Sequence, residues 1–148
     1  MNDSPVPKRT ASERRPHVLI SNRQDLRVDE AALAKLAERA LLAEGKDDGE
    51  LSLSFVTSQE MAGLHQEYAG EPGPTDVLSF PLDEDGLLGD VIVCPEEAQR
   101  NNPSDVEGEI RLLVVHGILH LLGYEHEKEG DRRVMWERQE AYSGMRAS

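Results

Sequence analysis

The sequence predicts one domain that contains both helices and strands, and three observations lead to this prediction. The chain has 148 residues, which suits one compact domain of ordinary size. Apolar side chains recur at strand spacing in some segments and at helical spacing in others. A further segment, residues 107–122, is almost wholly apolar after Arg111, so we expect a helix that runs through the core.

Local signals divide the chain into elements. Asp29 is a plausible N-cap for the first helix, and the polar turn DEDG suits a hairpin between two strands. The last helix should be amphipathic and carry Val134, Met135 and Trp136. In chain order we expect strands over 17–22, 50–57, 77–82 and 87–94, and helices over 29–43, 58–70, 95–100, 107–122 and 128–142.

The charges are distributed unevenly. The chain carries a formal net charge of −13, whereas residues 1–27 hold six basic and three acidic side chains. Residues 1–16 lack hydrophobic periodicity and are expected to form a flexible basic tail, followed by a single domain over residues 17–148. An acidic body excludes general attraction to polyanions. A nucleic-acid substrate would have to be reached through a local cleft, the tail, a metal ion or a partner.

Cysteine usage and hydropathy bear on the compartment. Cys94 is the single cysteine, which excludes an intramolecular disulfide, and we expect it in the core of a protein from a reducing compartment. No N-terminal segment joins basic residues to a long apolar run. The longest apolar stretch is too short to span a bilayer and contains two histidines. The expectation is a cytoplasmic protein that does not enter a membrane.

Three of the five histidines lie within the segment HGILHLLGYEH. His116 and His120 are four positions apart on the predicted core helix, so both imidazoles should project from one face. His126 follows Gly123, where the chain can turn back toward the same ion. Three neutral imidazoles leave a fourth position for water, as in catalytic zinc sites. One histidine alone is more often a hydrogen-bonded core residue, but a shared zinc ion would satisfy several buried imidazole atoms at once.

The histidine spacing H-x3-H-x2-G-x2-H is also that of the metzincin peptidases. In those enzymes, the residue after the first histidine is a glutamate that acts as general base. Here Gly117 occupies that position and has no side chain. Peptidase chemistry by that route is therefore excluded.

The histidine segment closely resembles the HGxLHLxGYDH signature of the YbeY family, endoribonucleases involved in ribosomal RNA maturation. A second block, GPTDVLSFPLDEDGLLGDVIVC, is similar to that family's PTDVLSFP strand and the strand that follows it. The resemblance covers roughly residues 17–142. It implies a small α+β domain with helices around a mixed β-sheet, and a buried central helix that carries two metal ligands. It also implies that His116, His120 and His126 hold one zinc ion.

The chain departs from the family pattern at three positions. Glu125 replaces the usual aspartate and keeps its charge. Ala69 stands where family members commonly have an arginine, a plausible contact to phosphate or to the transition state. That contribution is either absent here or supplied from elsewhere. His65 stands where an asparagine is usual, and on a helix surface we expect it to be solvated and inert.

Several other residues are candidates for binding substrate. Thr75 and Ser79 are placed to line a groove beside the metal, although Ser79 also fits the polar face of a strand. Asp76 is expected to act as a turn or cap residue rather than as a general base. Arg111 either reaches a phosphate or pairs with Glu107 one turn earlier. The sequence assigns no general base.

The resemblance implies a zinc-dependent, single-strand-specific endoribonuclease in ribosomal RNA maturation and ribosome quality control. Its partners would be ribosomal RNA and the small ribosomal subunit or associated proteins, with no DNA and no membrane. Two alternatives remain open at this point. One is a non-catalytic ribosome-assembly factor stabilised by zinc, which the missing arginine at position 69 favours. The other is a zinc hydrolase of amides or peptides, which Gly117 disfavours.

Overall fold

The computed structural model describes residues 15–84, 86–124 and 129–144. Within these ranges, strands and helices occur in the order that the sequence predicts, and their bounds differ from the prediction by a few residues at most. The predicted tail lies almost entirely outside the described residues. The elements are β1 His17–Arg23, α1 Glu30–Ala43, β2 Glu50–Val56, α2 Ser58–Ala69, β3 Val77–Glu84, β4 Leu87–Val93, α3 Pro95–Asn101, α4 Val106–Leu121 and α5 Glu129–Ser143.

Short polar side chains set where the early helices begin. The Asp29 carboxylate accepts a hydrogen bond from the backbone N–H of Ala32 at 3.1 Å, which confirms it as the N-cap of α1. Thr57 does the same for α2, where its hydroxyl oxygen accepts from the N–H of Glu60 at 3.1 Å. Gly70 ends α2 in the left-handed conformation, and it is the last residue of the helix predicted over 58–70.

The four strands form one mixed sheet in the order β1-β2-β4-β3. β1, β2 and β4 run parallel, whereas β3 pairs antiparallel with β4 through the predicted hairpin and lies at one edge. The parallel pairs require crossover connections, which α1 supplies between β1 and β2. The α+β class and the mixed sheet implied by the resemblance are therefore confirmed.

The core has two parts, one on each face of the sheet. The larger part joins α1, α4 and one residue of α5 to one face, because alternate residues of β2 and β4 point toward them. A smaller cluster on the other face packs α2 against the sheet and contains Cys94, which is fully buried as predicted. The largest fully buried side chains are Phe55, Leu41, Leu51, Leu53, Met61, Ile118, Leu119 and Met135.

Helix α4 packs closely on the sheet at Gly117. A β-carbon at this position would come within 2.6 Å of a methyl carbon of Val91 and 3.1 Å of one of Val77. The hydroxyl of Ser79 donates a hydrogen bond of 2.7 Å to the Gly117 carbonyl, which ties β3 to the helix. α4 is an apolar core helix, yet across the described ranges no helix has both the length and the apolar character needed to cross a membrane.

A buried carboxylate joins the end of α1 to the last helix. The Glu44 side chain is 5% exposed and accepts hydrogen bonds from the hydroxyls of Tyr124 at 2.8 Å and Tyr142 at 2.5 Å. Arg138 donates to the same carboxylate at 2.6 Å. Burial raises the pKa of Glu44, but the three hydrogen bonds and the charge of Arg138 together lower it below its ordinary value. The group, which we call the Glu44 clamp, stabilises α5 against α1.

We expect Gly117→Ala to lower the free energy of unfolding by about 1 to 2 kcal/mol, because overpacking against Val91 exceeds the gain in helix propensity. Gly63→Ala is the matched control, since a β-carbon at this position of α2 meets nothing within 4 Å. It should raise stability by up to about 1 kcal/mol. Urea unfolding of both variants measures the difference, and a Gly117→Ala protein at least as stable as the wild type would contradict the packing argument.

We expect Glu44→Gln to lower the free energy of unfolding at neutral pH by on the order of 1 to 2 kcal/mol, because the clamp loses its charged acceptor. The pKa of Glu44 is lowered in the folded state, so its contribution is present above the ordinary value of 4.5 and is lost as pH falls through the folded pKa. Burial and the Glu44 hydrogen bond raise the pKa of Tyr142 to about 12, so the clamp also weakens above the ordinary value of 10.0.

Urea denaturation of the wild type and of Glu44→Gln at a series of pH values measures the pH range over which the clamp contributes to stability. Glu107→Gln removes an equal charge from an exposed side chain that lies 3.8 Å from Arg111, and we expect it to change stability by less than about 0.5 kcal/mol. A stability difference between wild type and Glu44→Gln that stays constant as the solution is acidified would count against the clamp.

Candidate functional site

Helix α4 turns one partly exposed face away from the core. Glu109, Leu112, His116 and His120 are half-buried on this face, whereas the residues between them are mostly buried. The imidazole rings of His116 and His120 meet edge to face, with their centroids 4.6 Å apart. The four-residue spacing therefore brings two ligand-type nitrogen donors together, as the sequence predicts.

The two histidines lie in a cleft of about 470 Å³ between α4 and the beginning of β3. Three of the four residues that the sequence singled out for substrate binding are part of its wall. They come together because the PTDVLSFP segment forms the sheet edge that α4 covers. The residues that line the cleft are Thr75, Asp76, Val77, Leu78, Ser79, His116 and His120.

The structure places Arg111 elsewhere. Its side chain lies 3.8 Å from the Glu107 carboxylate and lines a separate cavity with Arg27 and Asp29. His116 follows Arg111 by five positions, which corresponds to roughly 140° around a helix. Of the two roles considered for Arg111, pairing with Glu107 is the one observed, and the residue does not reach the histidine cleft.

The edge strand presents backbone groups along the cleft. The Cys94 N–H donates to the Asp76 carbonyl at 2.9 Å, so residue 76 and alternate residues after it direct their backbone groups toward β4. The N–H groups of Val77 and Ser79 therefore point away from the sheet, on the side of the cleft. Pro81 occupies the next outward position, where its lack of an N–H costs no ladder hydrogen bond.

Asp76 ties the cleft to the end of α3. Its carboxylate accepts a hydrogen bond of 3.1 Å from the side-chain amide of Asn101. This contact agrees with the structural role that the sequence favours, and the side chain also lines the cleft. Burial raises the pKa of Glu109 on α4, and the charges of Asp76 and Asp105 raise it further against the hydrogen bond from Asn101. One end of the site is therefore acidic.

The loop before the cleft is held by a histidine that was expected to be inert. His65 is not merely solvated, because its Nδ1 donates a hydrogen bond of 2.9 Å to the carbonyl of Gly73. The Gly- and Pro-rich loop folds back along α2 after Gly70, and this brings Gly73 within reach. Ala69 is the exposed last residue of α2, at the beginning of the same loop. His65 therefore anchors the segment that leads to Thr75.

Sequence reasoning missed Gln139, which contacts the site from α5. Its amide oxygen lies 2.8 Å from Nδ1 of His116, and the residue is 5% exposed. Met135, one turn earlier, is fully buried, whereas Val134 and Trp136 are 37% and 50% exposed. The apolar face of α5 is thus narrower than predicted. The signal in the sequence that could have identified Gln139 is its four-residue spacing from Met135, which places both residues on one face of α5.

The donors present fit a zinc ion in type. Zinc accepts neutral imidazole nitrogens, and its histidine ligands commonly donate their other N–H to an oxygen acceptor, as His116 does to Gln139. His126, the third expected ligand, lies outside the described residues. Across residues 15–84, 86–124 and 129–144, no group of three or more potential metal ligands comes together. The described part of the site is a pair of histidines.

The chain after His120 turns sharply. The N–H of Gly123 donates to the His120 carbonyl and the N–H of Tyr124 to the Leu119 carbonyl, both at 3.0 Å, with Gly123 at a φ of 103°. This is the Schellman arrangement that glycine permits, and it ends α4 where the sequence predicts. Tyr124 then joins the Glu44 clamp. The described residues thus fix the chain up to two positions before His126.

Comparison with known proteins agrees with this geometry. The family model described as Endoribonuclease YbeY matches residues 19–145. A protein named Endoribonuclease YbeY from Beutenbergia cavernae is 42% identical, with the match covering 81% of this chain and 90% of the relative. Another protein of that name, from Thermobifida fusca, is 41% identical, and the match covers 87% of this chain and 94% of the relative.

A solved structure has a similar fold. The solution structure of a Thermotoga maritima protein matches with a TM-score of 0.58 and 32% sequence identity, covering 85% of this chain and 86% of that one. The two sequence blocks and the mixed sheet thus fit one family. The chain belongs to the YbeY endoribonuclease family.

Proposed function

We propose that this chain is a zinc-dependent endoribonuclease that cleaves single-stranded segments of ribosomal RNA during maturation and ribosome quality control. The observation that carries the proposal is the pairing of His116 and His120 in a cleft whose other wall is the PTDVLSFP edge strand. Family membership supports RNA as the substrate. We further propose that the protein acts in the cytoplasm.

His116, His120 and His126 would hold one zinc ion. Zinc in such a site polarises a phosphoryl oxygen and lowers the pKa of a water molecule. Gln139 supports the arrangement because its amide oxygen holds Nδ1 of His116 at 2.8 Å. Gly117 supplies no general base. The absence of a β-carbon at this position instead allows α4 to pack against Val91. The missing general base disfavours a peptidase of the metzincin type.

The wall of the cleft offers hydrogen-bonding groups suited to an RNA backbone. The N–H groups of Val77 and Ser79 and the hydroxyl of Thr75 would donate to phosphate oxygens. The Asp76 carboxylate would accept from a ribose 2′-hydroxyl, a group that DNA lacks. A cleft that is lined by an edge strand fits an extended single strand better than a duplex. These contacts favour RNA over DNA as substrate.

The charge of the protein explains why we expect a delivered substrate. The net charge is −13, and none of the described residues that line the cleft is a lysine or an arginine. Long-range attraction to free RNA is therefore weak. We propose that the small ribosomal subunit or its associated proteins bring the RNA to the cleft.

A second candidate function is a non-catalytic ribosome-assembly factor in which zinc only stabilises the fold. The specific observation in its favour is Ala69, since the arginine common in the family is missing beside the loop that leads to Thr75. The two candidates differ in turnover. Only the nuclease cleaves RNA in a reaction that depends on bound metal.

We expect His120→Ala to lose stoichiometric zinc and to reduce cleavage of single-stranded ribosomal RNA by on the order of 100-fold or more, because one ligand is removed. Metal analysis and a gel-based cleavage assay measure the two effects. His65→Ala is the control, since His65 bonds to Gly73 rather than lining the cleft, and it should keep its zinc. DNA of the same sequence and peptide substrates should not be cleaved. Equal cleavage by wild type and His120→Ala would rule out the proposed reaction.

We expect Ala69→Arg to raise kcat/KM for RNA cleavage about tenfold, because a guanidinium at the end of α2 adds a charge-assisted hydrogen bond to phosphate. Gln66→Arg places the same charge on an exposed position one turn earlier and should raise kcat/KM much less. Initial rates at several RNA concentrations separate the two. The prediction fails if both variants accelerate cleavage equally or if Ala69→Arg has no effect.

A further inference from the structure

We propose that Gln139 is a positioning residue that fixes the tautomer of His116. Its amide oxygen accepts the Nδ1–H of His116 at 2.8 Å, so the proton resides on Nδ1 and the lone pair of the neutral ring resides on Nε2. The proposal rests on the proposed function in one respect, because a zinc ion is the species that would use this lone pair.

The first step of the argument is burial. Gln139 is 5% exposed, so its amide is largely shielded from water. A buried amide that loses its partner is costly, because water no longer compensates for the missing hydrogen bond. The hydrogen bond between the Gln139 amide oxygen and Nδ1 of His116 is therefore maintained, and it restrains the orientation of both side chains.

The second step is that the rest of α5 holds Gln139 in place. The neighbouring residue, Arg138, donates to the Glu44 carboxylate at 2.6 Å, and Met135 anchors the preceding turn in the core. Three residues after Gln139, the Tyr142 hydroxyl donates to the same carboxylate at 2.5 Å. Helix α5 is thus fixed on both sides of this residue, and the amide does not have to be ordered when His116 binds a ligand.

The third step is chemical. A neutral imidazole carries one N–H, and a carbonyl oxygen accepts but does not donate. With the amide oxygen facing Nδ1, the tautomer protonated at Nε2 would bring two acceptors together at 2.8 Å, and a ring protonated at Nε2 is unable to bind a metal through that nitrogen. Glutamate at position 139 would keep this acceptor, whereas methionine of similar length would remove it.

The test compares full-length wild type, Gln139→Met and Gln139→Glu by long-range ¹H–¹⁵N NMR of His116 and by competition for zinc with a chelator. We expect wild type and Gln139→Glu to show His116 protonated at Nδ1, and Gln139→Met to lose this signature. Zinc affinity should fall about 10- to 100-fold in Gln139→Met and be retained in Gln139→Glu. Gln66→Met, on an exposed face of α2, is the matched control and should bind zinc as the wild type does.

The outcomes separate this inference from the proposed function. An Nδ1-protonated His116 in Gln139→Met, or unchanged zinc affinity in that variant, would overturn the role of Gln139 while leaving a zinc-loaded, RNA-cleaving wild type intact. Loss of zinc affinity in both Gln139 variants would also overturn it, because a general packing defect does not discriminate glutamate from methionine. A wild type that binds no zinc would refute the proposed function, and the NMR signature would still decide the tautomer.

Discussion

The close contact between α4 and the sheet at Gly117 is the constraint on which the arrangement of the site depends. With no β-carbon at this position, the helix approaches Val91 and Val77 closely enough for the Ser79 hydroxyl to reach the Gly117 carbonyl. The preceding residue, His116, is then held at the edge of the sheet rather than above its centre. The glycine that separates this chain from peptidases with the same histidine spacing is thus also a packing requirement.

A second layer of contacts fixes α5, and through it the back of the site. The Glu44 carboxylate receives hydrogen bonds from Tyr124, Arg138 and Tyr142, which come from the turn after α4 and from α5. These contacts bring the turn after α4 and the second half of α5 to one buried acceptor. Gln139, next to Arg138, then meets His116. Fold stability and the orientation of a ligand-type side chain therefore depend on the same helix.

The electrostatics of the chain shape what the cleft is able to bind. An overall charge of −13 and the acidic residues Asp76 and Glu109 disfavour a polyanion at a distance. At short range, however, the edge strand offers uncharged donors, because alternate backbone N–H groups of β3 face outward. Binding that relies on such donors acts only at short range and depends on the geometry of the edge strand.

Much of the fold was predictable because it depends on local patterns. Period-two alternation predicts β2, helical spacing predicts α1, and Asp29 and Gly70 mark helix ends. The spacing of His116 and His120 likewise predicts a shared face, since four residues make about one helical turn. These features require knowledge only of residues close together in the chain.

Other features depended on elements distant in sequence. The spacing of Glu107 and Arg111 allows their pairing, but only the surrounding elements place Arg111 in a cavity separate from the histidine cleft. Gln139 lies 23 positions from His116, and His65 reaches Gly73 only because the loop folds back along α2. The sequence by itself determined the family, the elements and the paired histidines, because these are encoded by local spacing and residue type. Only the tertiary structure decided which polar groups support them, because hydrogen-bond partners across helices are chosen by packing.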